Sequence, residues 1–481
     1  MDKNIEGLTV TKEENFSEWY QQLILKSELA DYSSVSGCII FRPTSFAIWE
    51  MLRDKIDKKL KKIGVKNVYF PMFIPESLLT REKEHVEGFT PEVAWVTQTG
   101  NTKLEEKLAV RPTSEAIMYD SYSKWIRSWR DLPLKYNQWN NVVRWEFKNP
   151  VPFFRTREFL WNEGHTVFAT EKEAKAERDV ILGIYSSFLK DYMALPHLIG
   201  YKTKLETFAG AVSSCSCELY LPNGKAIQGP IFHYDGQKFA KAYDIKFLNK
   251  DEKMEYTWQN TWAISTRMLG VMFAMHSDNK GLVLPPKLAP IQIVIVPILF
   301  DNTKDKVLAK ANEIKENLSK EFSAIVDERE EYSPGWKFNE WELKGVPIRL
   351  EFGPRDLESN QVVLVRRDKG EKQNVKIADL KDIIVGELNE MQQDLYDKAK
   401  KMLENNIKEI DNWEDFTKNI KDKKIALIPF CGEGGCEEEI KDKTTGAKSL
   451  NRPLDQPDMK DKKCARCGKP AAYMCYFGKS Y

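Results

Sequence analysis

Two short segments rich in arginine and glutamate could bind a phosphate-bearing ligand: VVRWEF at 142–147 and RTREFLWNEGH at 155–165. If the first segment is a β-strand, Arg144 and Glu146 lie on the same face, because side chains alternate along a strand. A guanidinium pairs with phosphate oxygens in a bidentate manner, and a neighbouring carboxylate accepts from an amino group or helps to hold a metal. The pattern therefore indicates a phosphate site; the alternative is a surface hairpin with ion pairs.

An antiparallel hairpin is the element that would position these charges. Both segments contain β-branched and aromatic residues, and Asn149, Pro150 and Pro152 between them favour a turn. The sequence RPTSE at 111–115 precedes an amphipathic run over 116–129, which predicts a helix. The expected order is therefore loop, helix, strand, short loop and strand. The hairpin would carry the other charges of this region: Arg155, Arg157, Glu158 and Glu163.

The bulk composition limits the class of protein. A chain of 481 residues is too long for one core, so about two to four domains are expected. Lys and Arg together number 73 against 72 for Asp and Glu, so a nucleic-acid partner would have to bind local basic patches. No apolar run approaches the ~20 residues of a membrane span. The charged start, MDKNIEGLTVTKEENF, does not resemble a secretory signal, which favours a cytoplasmic location.

Helices and strands alternate through the first 285 residues. The pattern predicts helices over 16–30 and 171–193, and a helix from an N-cap at Thr44 or Ser45 to a glycine stop at Gly64. It also predicts a strand over 261–267 that runs into an apolar helix at 268–275. Gly210 and Gly229 would allow the backbone to approach a ligand closely, or would mark a bulge or turn.

From Pro290 the pattern changes to that of a small α/β domain. An Ile/Val-rich strand at 291–300 is followed by a helix at 304–322, a strand at 324–327, a helix at 336–344 and strands at 348–352 and 361–366. The segment WKFNEWELKGVPIRLEFGPRD at 336–356 offers aromatic and charged groups of the kind that bind single-stranded RNA. Individually, each of these charges could equally belong to a solvated face. A long helix over 377–407 would separate this domain from the next.

Four of the eight cysteines form two closely spaced pairs near the end of the sequence. Cys431 and Cys436 form one pair, and Cys464 and Cys467 form the other. This spacing predicts four thiolates around a structural zinc ion; the alternative is two reduced pairs without metal. The remaining cysteines have no such partner pair and are interpreted as structural or incidental.

Together these segments resemble the class IIa aminoacyl-tRNA synthetases, and in particular prolyl-tRNA synthetases of the archaeal and eukaryotic type. R-x-E, a short loop and R-x-x-x-F resemble motif 2, the arginine at 267 resembles that of motif 3, and the helix, strand and proline over 44–71 resemble motif 1. RPTSE, FLWNEGH and the final YFGKSY are similar to the prolyl group, and no large editing insertion separates motifs 2 and 3.

The resemblance implies a multidomain fold of α/β and α+β type. A class II antiparallel sheet with flanking helices would occupy residues 1–285, an α/β anticodon-binding domain 286–395, and a zinc-binding α/β module 396–481. The family acts as a homodimer that joins L-proline to ATP, forming prolyl-adenylate, and then transfers proline to the 3′ end of tRNA(Pro). No membrane partner is implied.

The resemblance also implies roles for individual residues. The residues implied in catalysis are Arg144 and Arg267. Those implied in proline binding are Thr113, Glu115, Arg144, Trp161, His165, Phe208 and His233. Those implied in binding ATP with Mg²⁺ are Arg144, Glu146, Arg155, Thr156, Gln228, Ser265 and Arg267. Those implied in anticodon binding are Trp336, Lys337, Glu342, Arg349, Glu351 and Arg355. The implied zinc ligands are Cys431, Cys436, Cys464 and Cys467.

One strand departs from the family pattern. The family has small hydroxyl-bearing residues before the second pocket histidine, whereas this sequence has Pro230, Ile231 and Phe232 before His233. The pocket or the ATP contacts could therefore differ at this strand. Two alternatives follow: a sibling synthetase for threonine, histidine or glycine, or an inactive synthetase-like tRNA-binding protein. A proline pocket could also admit alanine or cysteine, because one methylene or sulfur discriminates weakly.

Overall fold

A computed structural model describes residues 7–85, 92–146 and 149–481, with the backbone alone for 81–85. Phe147, at the end of the predicted VVRWEF strand, lies outside the described residues. The central element is an eight-stranded sheet in which all neighbours are antiparallel except the pair formed by the last two strands. In spatial order its strands are Arg452–Pro453, Leu198–Tyr201, Ser213–Tyr220, Ala226–Gly236, Trp258–Ser265, Glu158–Phe168, Leu134–Val143 and Lys66–Asn67.

Helices and smaller sheets surround this sheet. The helices are Phe16–Lys26, Pro43–Lys62, Glu76–His85, Glu115–Trp125, Glu171–Asp191, Lys238–Tyr243 and Arg267–His276, with short 3-10 turns at Trp129–Asp131 and Pro286–Leu288. A three-stranded sheet has the order Phe73–Pro75, Thr102–Val110, Trp95–Thr99. Two hairpins pair Ala30–Tyr32 with Ile39–Phe41 and Lys246–Leu248 with Met254–Tyr256.

The helix Glu171–Asp191 shows why the sequence folds as it does here. The Thr170 side chain accepts from the N–H of Glu173, whose carboxylate accepts from the N–H of Thr170, so the first turn is capped reciprocally. Its apolar stripe, including Tyr185 and Phe188, is fully buried in the main core beside Trp262 of the sheet. The helix therefore covers one face of the central sheet, as predicted.

The second domain contains a five-stranded mixed sheet. The order is Ala324–Val326, Ile293–Pro297, Ile348–Phe352, Gln361–Arg366 and Lys372–Lys376, with parallel pairing on both sides of Ile293–Pro297. All five residues of Ile293–Pro297 are buried, as an Ile/Val-rich run predicts. The helices are Lys304–Leu318, Pro334–Leu343, Pro354–Glu358 and Leu380–Asn405, the last preceded by a 3-10 turn at Ile377–Asp379.

The helix Leu380–Asn405 runs from the second domain to the last one and also packs against the first. Its Met391 and Leu395 are buried together with Ala194 and Val283 of the first domain. The expected boundary between 395 and 396 falls inside this continuous helix. The helix therefore packs against the first domain instead of acting as a free spacer.

The last domain is built on a four-stranded sheet. Its order is Ile407–Glu409, Ile425–Phe430, Tyr473–Lys479 and Ala447–Ser449, with helices Trp413–Lys421 and Gly434–Lys443. The chain then extends the central sheet, because Arg452 pairs with Tyr201 and Pro453 with Gly200. The buried side chain of Asn451 reinforces this junction by donating to the carbonyls of Leu198 and Ser216.

Several predicted boundaries were wrong for identifiable reasons. The predicted helix over 16–30 ends at Lys26, because Glu28 adopts a left-handed φ of 57°. The predicted helix over 116–129 is Glu115–Trp125. The helix expected to start at a Thr44 or Ser45 cap begins at Pro43, a residue suited to a first turn, and the Ser45 hydroxyl donates to the carbonyl of Leu29 instead.

The strand expected over 142–147 instead ends at Val143 and begins at Leu134. Polar residues of that early stretch conceal the strand in the sequence, because Asn137 and Gln138 are fully buried and hydrogen-bonded. Arg144 still donates its N–H to the carbonyl of Arg157 over 2.7 Å, so the hairpin partners are as expected. Within the described residues, no helix combines the length and apolar character that a membrane crossing requires.

Candidate active site

A cavity of about 440 Å³ lies on the central sheet and contains most of the predicted ligand-binding residues. The predicted residues that line it are Thr113, Glu115, Arg144, Glu146, Trp161, His165, Phe208, Gln228, His233, Ser265 and Arg267. They come from the predicted hairpin, from strands Ala226–Gly236 and Trp258–Ser265, from the start of two helices, Glu115–Trp125 and Arg267–His276, and from the loop before the first of these helices. Phe208 comes from the segment before strand Ser213–Tyr220. The sheet therefore brings together residues that are up to 154 positions apart, taking Thr113 and Arg267 as the extremes.

Two predicted ATP residues, Arg155 and Thr156, do not belong to the lining of this cavity. They lie between the two hairpin strands, where Arg155 and Val151 exchange two backbone hydrogen bonds of 2.9 Å. Thr156 is only 4% exposed. Arg155 is nevertheless close enough to Arg267 for its charge to lower the pKa of that guanidinium.

Glu163 joins the two sides of the site. Its carboxylate accepts from the Ser114 N–H over 3.0 Å and from the Ser114 hydroxyl, and from the Asn140 amide over 2.7 Å. It also lies 3.2 Å from Nε2 of His165 and is itself 2% exposed. Sequence reasoning placed Glu163 in the hairpin but gave it no role in the site. A carboxylate in the middle of a predicted strand was the available signal, because such a group requires partners when it is buried.

Glu163 and His165 form a buried pair whose pKa values move apart. Burial opposes both charged forms, but hydrogen bonds from His165, Ser114 and Asn140 and the charge of His165 bring the pKa of Glu163 down to about 2. For His165, burial is likewise overcome by Glu163 and Glu115, which raise its pKa. The phenol of Tyr119 lies 3.2 Å from Nδ1 of the same ring. The pair therefore keeps Glu163 negative at neutral pH and favours the protonated form of His165 beneath the 113–115 loop.

Arg144 is oriented by backbone and aromatic contacts. Its Nε donates to the carbonyl of Pro112 over 2.9 Å, and its guanidinium carbon lies 5.2 Å from the ring centre of Trp161. The Trp161 indole N–H donates to Oδ1 of Asn140 over 2.7 Å. A guanidinium held between a carbonyl and an aromatic face is pre-oriented while it faces the cavity, as bidentate binding of an anion requires.

The opposite wall carries a neutral histidine. The rings of Phe208 and His233 are 5.0 Å apart, and Nδ1 of His233 lies 2.7 Å from the hydroxyl of Ser214. Burial, with the charges of Lys202 and Arg144, lowers the pKa of His233 to about 3. The imidazole is therefore uncharged near neutral pH and contributes an apolar surface with one hydrogen-bonding edge.

Arg267 begins the helix Arg267–His276 directly after a strand of the central sheet, close to the predicted position. Its Nε donates to the carbonyl of Phe154 and its Nη1 to the carbonyl of Gln228, each over 3.2 Å. Burial and the charges of Arg155 and Arg144 lower its pKa to about 10, so it remains cationic at neutral pH. The ring of Phe154, whose carbonyl accepts from this arginine, lies 5.2 Å from that of Tyr481.

The unusual segment before His233 has two different faces. Ile231 lines the cavity, whereas Phe232 is 1% exposed and belongs to the main core. The register shifts opposite this segment, between Ser216 and Glu218, so Pro230 lies at an irregular point of the ladder, where its missing N–H is tolerated. Only Ile231 can therefore alter the shape of the cavity directly.

The two glycines singled out in the sequence make room for protein atoms. A Cβ at Gly210 would lie 2.4 Å from the Phe239 ring, and one at Gly229 would lie 2.7 Å from Leu219. Close approach is thus the reason for each glycine, but the approaching groups belong to the chain itself. Gly229 also lines the cavity.

The four predicted cysteines come together in the last domain. Their sulfur atoms all lie within 4.8 Å of one another, with Cys436 and Cys464 3.9 Å apart and Cys431 and Cys467 3.7 Å apart. Sulfurs at tetrahedral corners around zinc, with Zn–S bonds of ~2.3 Å, are about 3.8 Å apart. The donor set and its spacing therefore fit a structural zinc ion.

The predicted anticodon residues differ in accessibility. Arg355 is exposed, and Trp336 stacks on Tyr332 with ring centres 3.8 Å apart. Lys337 is 2% exposed and donates to the carbonyl of Asp327 over 3.1 Å. The other three residues form ion pairs with neighbours: Arg349 with Glu351, Glu351 with Lys372, and Glu342 with Lys280. Trp336 and Arg355 are thus the members best placed to touch a ligand.

Three family models match successive parts of the chain. The tRNA synthetase class II core domain (G, H, P, S and T) matches residues 95–276, and the anticodon binding domain matches 292–387. The C-terminal domain of prolyl-tRNA synthetase matches residues 413–481. The three matches follow the order of the eight-stranded, five-stranded and four-stranded sheets along the chain.

Curated proteins resemble the chain over nearly its full length. A cytoplasmic proline–tRNA ligase from Arabidopsis thaliana is 47% identical over 486 residues, covering 99% of this chain and 91% of the relative. Proline–tRNA ligase 2 from Bacillus thuringiensis subsp. konkukian is 48% identical over 475 residues, covering 98% of each. A proline–tRNA ligase from Ruminiclostridium cellulolyticum is 46% identical, covering 100% of this chain and 99% of the relative.

Proposed function

The chain belongs to the proline–tRNA ligases, which are class II aminoacyl-tRNA synthetases, and we propose that the cavity lined by Arg144 and Arg267 is its adenylation site. The observation that carries this proposal is that Glu115, Trp161 and the two arginines, from four separate segments, line one cavity. The carboxylate of L-proline would attack the α-phosphorus of ATP, and the bond from that phosphorus to the bridging oxygen of pyrophosphate would break. A ribose hydroxyl of the tRNA terminus would then attack the prolyl carbonyl and release AMP.

The charges of the cavity suit this reaction. The attack needs neutralisation of the phosphate charge and accurate placement more than it needs proton transfer. Arg144 would neutralise the carboxylate and α-phosphate, and Arg267, with Arg155 nearby, the outer phosphates. Mg²⁺ would neutralise phosphate charge when ATP is bound; Glu146, which lines the cavity, offers it an oxygen donor.

The buried carboxylate of Glu115 supports the assignment of this end of the cavity to proline. Glu115 is 5% exposed and accepts a short hydrogen bond from the Thr113 hydroxyl. A buried carboxylate gains from a cationic partner, and the secondary ammonium of proline would supply one. Trp161, Phe208 and the neutral His233 would enclose the apolar ring.

The four cysteines would hold zinc in the last domain, where it would supply structural cross-linking and no chemistry at the cavity. We assign the chain to the archaeal and eukaryotic type on the basis of this domain and because only residues 169–257, with no large inserted domain, lie between the hairpin and strand Trp258–Ser265. A cytoplasmic location is supported by the Arabidopsis relative and by the reduced cysteines that zinc binding requires.

A homodimer is supported by exposed aromatic side chains near the first family motif. Tyr69 is 73% exposed and Trp125 51%, while Phe73 and Trp95, on opposite edges of the three-stranded sheet, are 42% and 41% exposed. Exposed apolar patches of this kind mark association surfaces. Light scattering on Tyr69→Glu/Trp125→Glu should show monomers where the unmodified chain gives dimers.

Amino-acid-dependent exchange of label between ATP and pyrophosphate tests the adenylation site. Exchange should be strongest with proline among proline, threonine, alanine and cysteine, and Arg144→Ala should abolish it. Arg130→Ala removes an exposed arginine outside the cavity and should leave exchange unchanged. Preference for threonine, or exchange that survives Arg144→Ala, would contradict the proposal.

A further inference from the structure

A second cavity, of about 430 Å³, lies between the first and last domains. It shares Phe208 with the adenylation cavity, so a single ring borders both spaces. Gly432 and Tyr473, close to the four-cysteine cluster, form part of its wall from the last domain. The two cavities are therefore neighbours on either side of the Phe208 ring.

The second cavity is strongly basic. Its lining contains Lys202, Lys204, Lys238 and Arg452, and none of its described lining residues is acidic. Lys202 is neutralised by Glu218 at 2.6 Å, but Lys238 donates only to uncharged carbonyl groups within the described structure. The exposed Lys204 makes no hydrogen bond or ion pair with a described residue. Lys204 and Arg452 are thus left without a carboxylate partner among the described residues.

Arg452 is positioned but has no anionic partner among the described residues. Its place is fixed by the strand pairing with Tyr201, and its guanidinium carbon lies 5.1 Å from the ring centre of Tyr201 and 4.9 Å from that of Tyr473. Its Nε is buried and makes no hydrogen bond to any described part of the chain. A guanidinium held between two rings without a carboxylate partner is oriented to bind an anion such as a phosphodiester.

We propose that this cavity binds the unpaired 3′-terminal strand of the tRNA and directs it past Phe208 to the adenylate. A basic groove with aromatic side chains is the usual combination for single-stranded nucleic acid, because lysine and arginine follow the phosphates and rings stack on bases. Lys204 and Arg452 contact the phosphates, while Tyr473 and Phe208 offer stacking surfaces. The inference rests on the proposed function, since it gives the last domain a part in presenting the tRNA.

Binding of fluorescently labelled tRNA(Pro) to the full-length protein tests this site. Lys204→Gln/Arg452→Gln should raise the Kd by about tenfold, and should make the slope of log Kd against log salt shallower by about 0.7 for each phosphate that is no longer neutralised. Lys443→Gln, an exposed lysine of the last domain outside the cavity, is the matched control and should change neither. Lys204→Gln alone, which breaks no hydrogen bond or ion pair within the described structure, should give a smaller change in the same direction without altering the thermal midpoint.

A tRNA that lacks its unpaired 3′ nucleotides identifies the part of the ligand that is bound. The double variant and the unmodified protein should bind this shortened tRNA with equal Kd. If the double variant raised the Kd equally for both tRNAs, the cavity would bind another part of the tRNA and the proposal would be overturned. An unchanged Kd and salt slope for the full tRNA would also overturn it. Proline-dependent exchange, which needs no tRNA, should be normal in the variants. If the unmodified protein showed no exchange, the proposed adenylation site would be overturned. The Kd values for the two tRNAs would still decide whether the second cavity binds the 3′ strand.

Discussion

The backbone N–H of Ser114 donates to the carboxylate of Glu163 over 3.0 Å. This bond joins the loop that carries Thr113 and Glu115 to the middle of the strand Glu158–Phe168, 49 residues further along the chain. The position of the loop over the cavity is therefore set by a residue of the sheet and not by the loop itself.

Replacement of this carboxylate should weaken proline binding more than ATP binding. In Glu163→Gln, the amide cannot accept all the hydrogen bonds of the carboxylate, and His165 loses its counter-charge. We expect the KM for proline to rise at least tenfold, with the KM for ATP changed less than threefold, in pyrophosphate exchange; tenfold corresponds to about 1.4 kcal/mol. Glu158→Gln, at the start of the same strand, is the control. An equal rise in the KM for proline and the KM for ATP would indicate general misfolding.

The Glu163–His165 pair should give stability a defined pH window. Because the folded pKa of Glu163 is about 2 against 4.5 ordinarily, its contribution is complete above pH 4.5 and is lost as the pH falls toward 2. The pKa of His165 is raised, so its contribution is complete below pH 6.5 and is lost as the pH rises through the folded value. Between pH 4.5 and 6.5, urea unfolding should give a free energy of unfolding about 3 kcal/mol lower for Glu163→Gln than for the unmodified chain. A difference independent of pH would contradict the ion pair.

The unusual strand before His233 is tested best by one substitution. Ile231→Thr changes a residue that lines the cavity and should increase proline-dependent exchange if the apolar residue lowers activity. Phe232→Ser would instead remove a core ring and lower the free energy of unfolding by about 3–5 kcal/mol. Its effect on activity in a double substitution could therefore not be separated from the loss of stability. No gain with Ile231→Thr would show that the departure does not limit activity.

Removal of zinc should destabilise the last domain first. The purified protein should contain about one zinc ion per chain by elemental analysis. Cys436→Ser should lose it and unfold at lower temperature, because structural zinc contributes directly to folding. Cys475→Ser removes a buried thiol outside the four-sulfur cluster and should retain the metal. Full zinc content in Cys436→Ser would contradict the site.

The sequence revealed those parts of the site where a residue type alone signals chemistry. Arg144 was predicted because an arginine beside a glutamate on one strand face suits a phosphate, Arg267 from the resemblance to motif 3, and the four cysteines from their spacing. Strand Leu134–Val143 was missed in large part because the buried Asn137 and Gln138 break the hydrophobic pattern. Their hydrogen-bond partners come from distant segments, which a local pattern cannot show.

Lys337 illustrates the converse case, a predicted ligand-binding residue whose side chain is buried. Its position in a phrase of aromatic and charged residues suggested RNA binding, but the side chain is buried against the carbonyl of Asp327. A lysine on a short helix can face either solvent or the sheet, and only packing decides which. The role of Arg452 was likewise invisible, because its partner Tyr201 lies 251 positions away.

The pairing of Arg452–Pro453 with Leu198–Tyr201 also bears on solubility. An unpaired edge strand presents free N–H and C=O groups that attract strands of other molecules. Here the last domain covers that edge with a strand of its own. A chain cut before this strand would keep every residue that lines the adenylation cavity. It would, however, leave the edge of strand Leu198–Tyr201 unpaired and would tend to aggregate. The last domain thus protects the catalytic sheet from unwanted self-association.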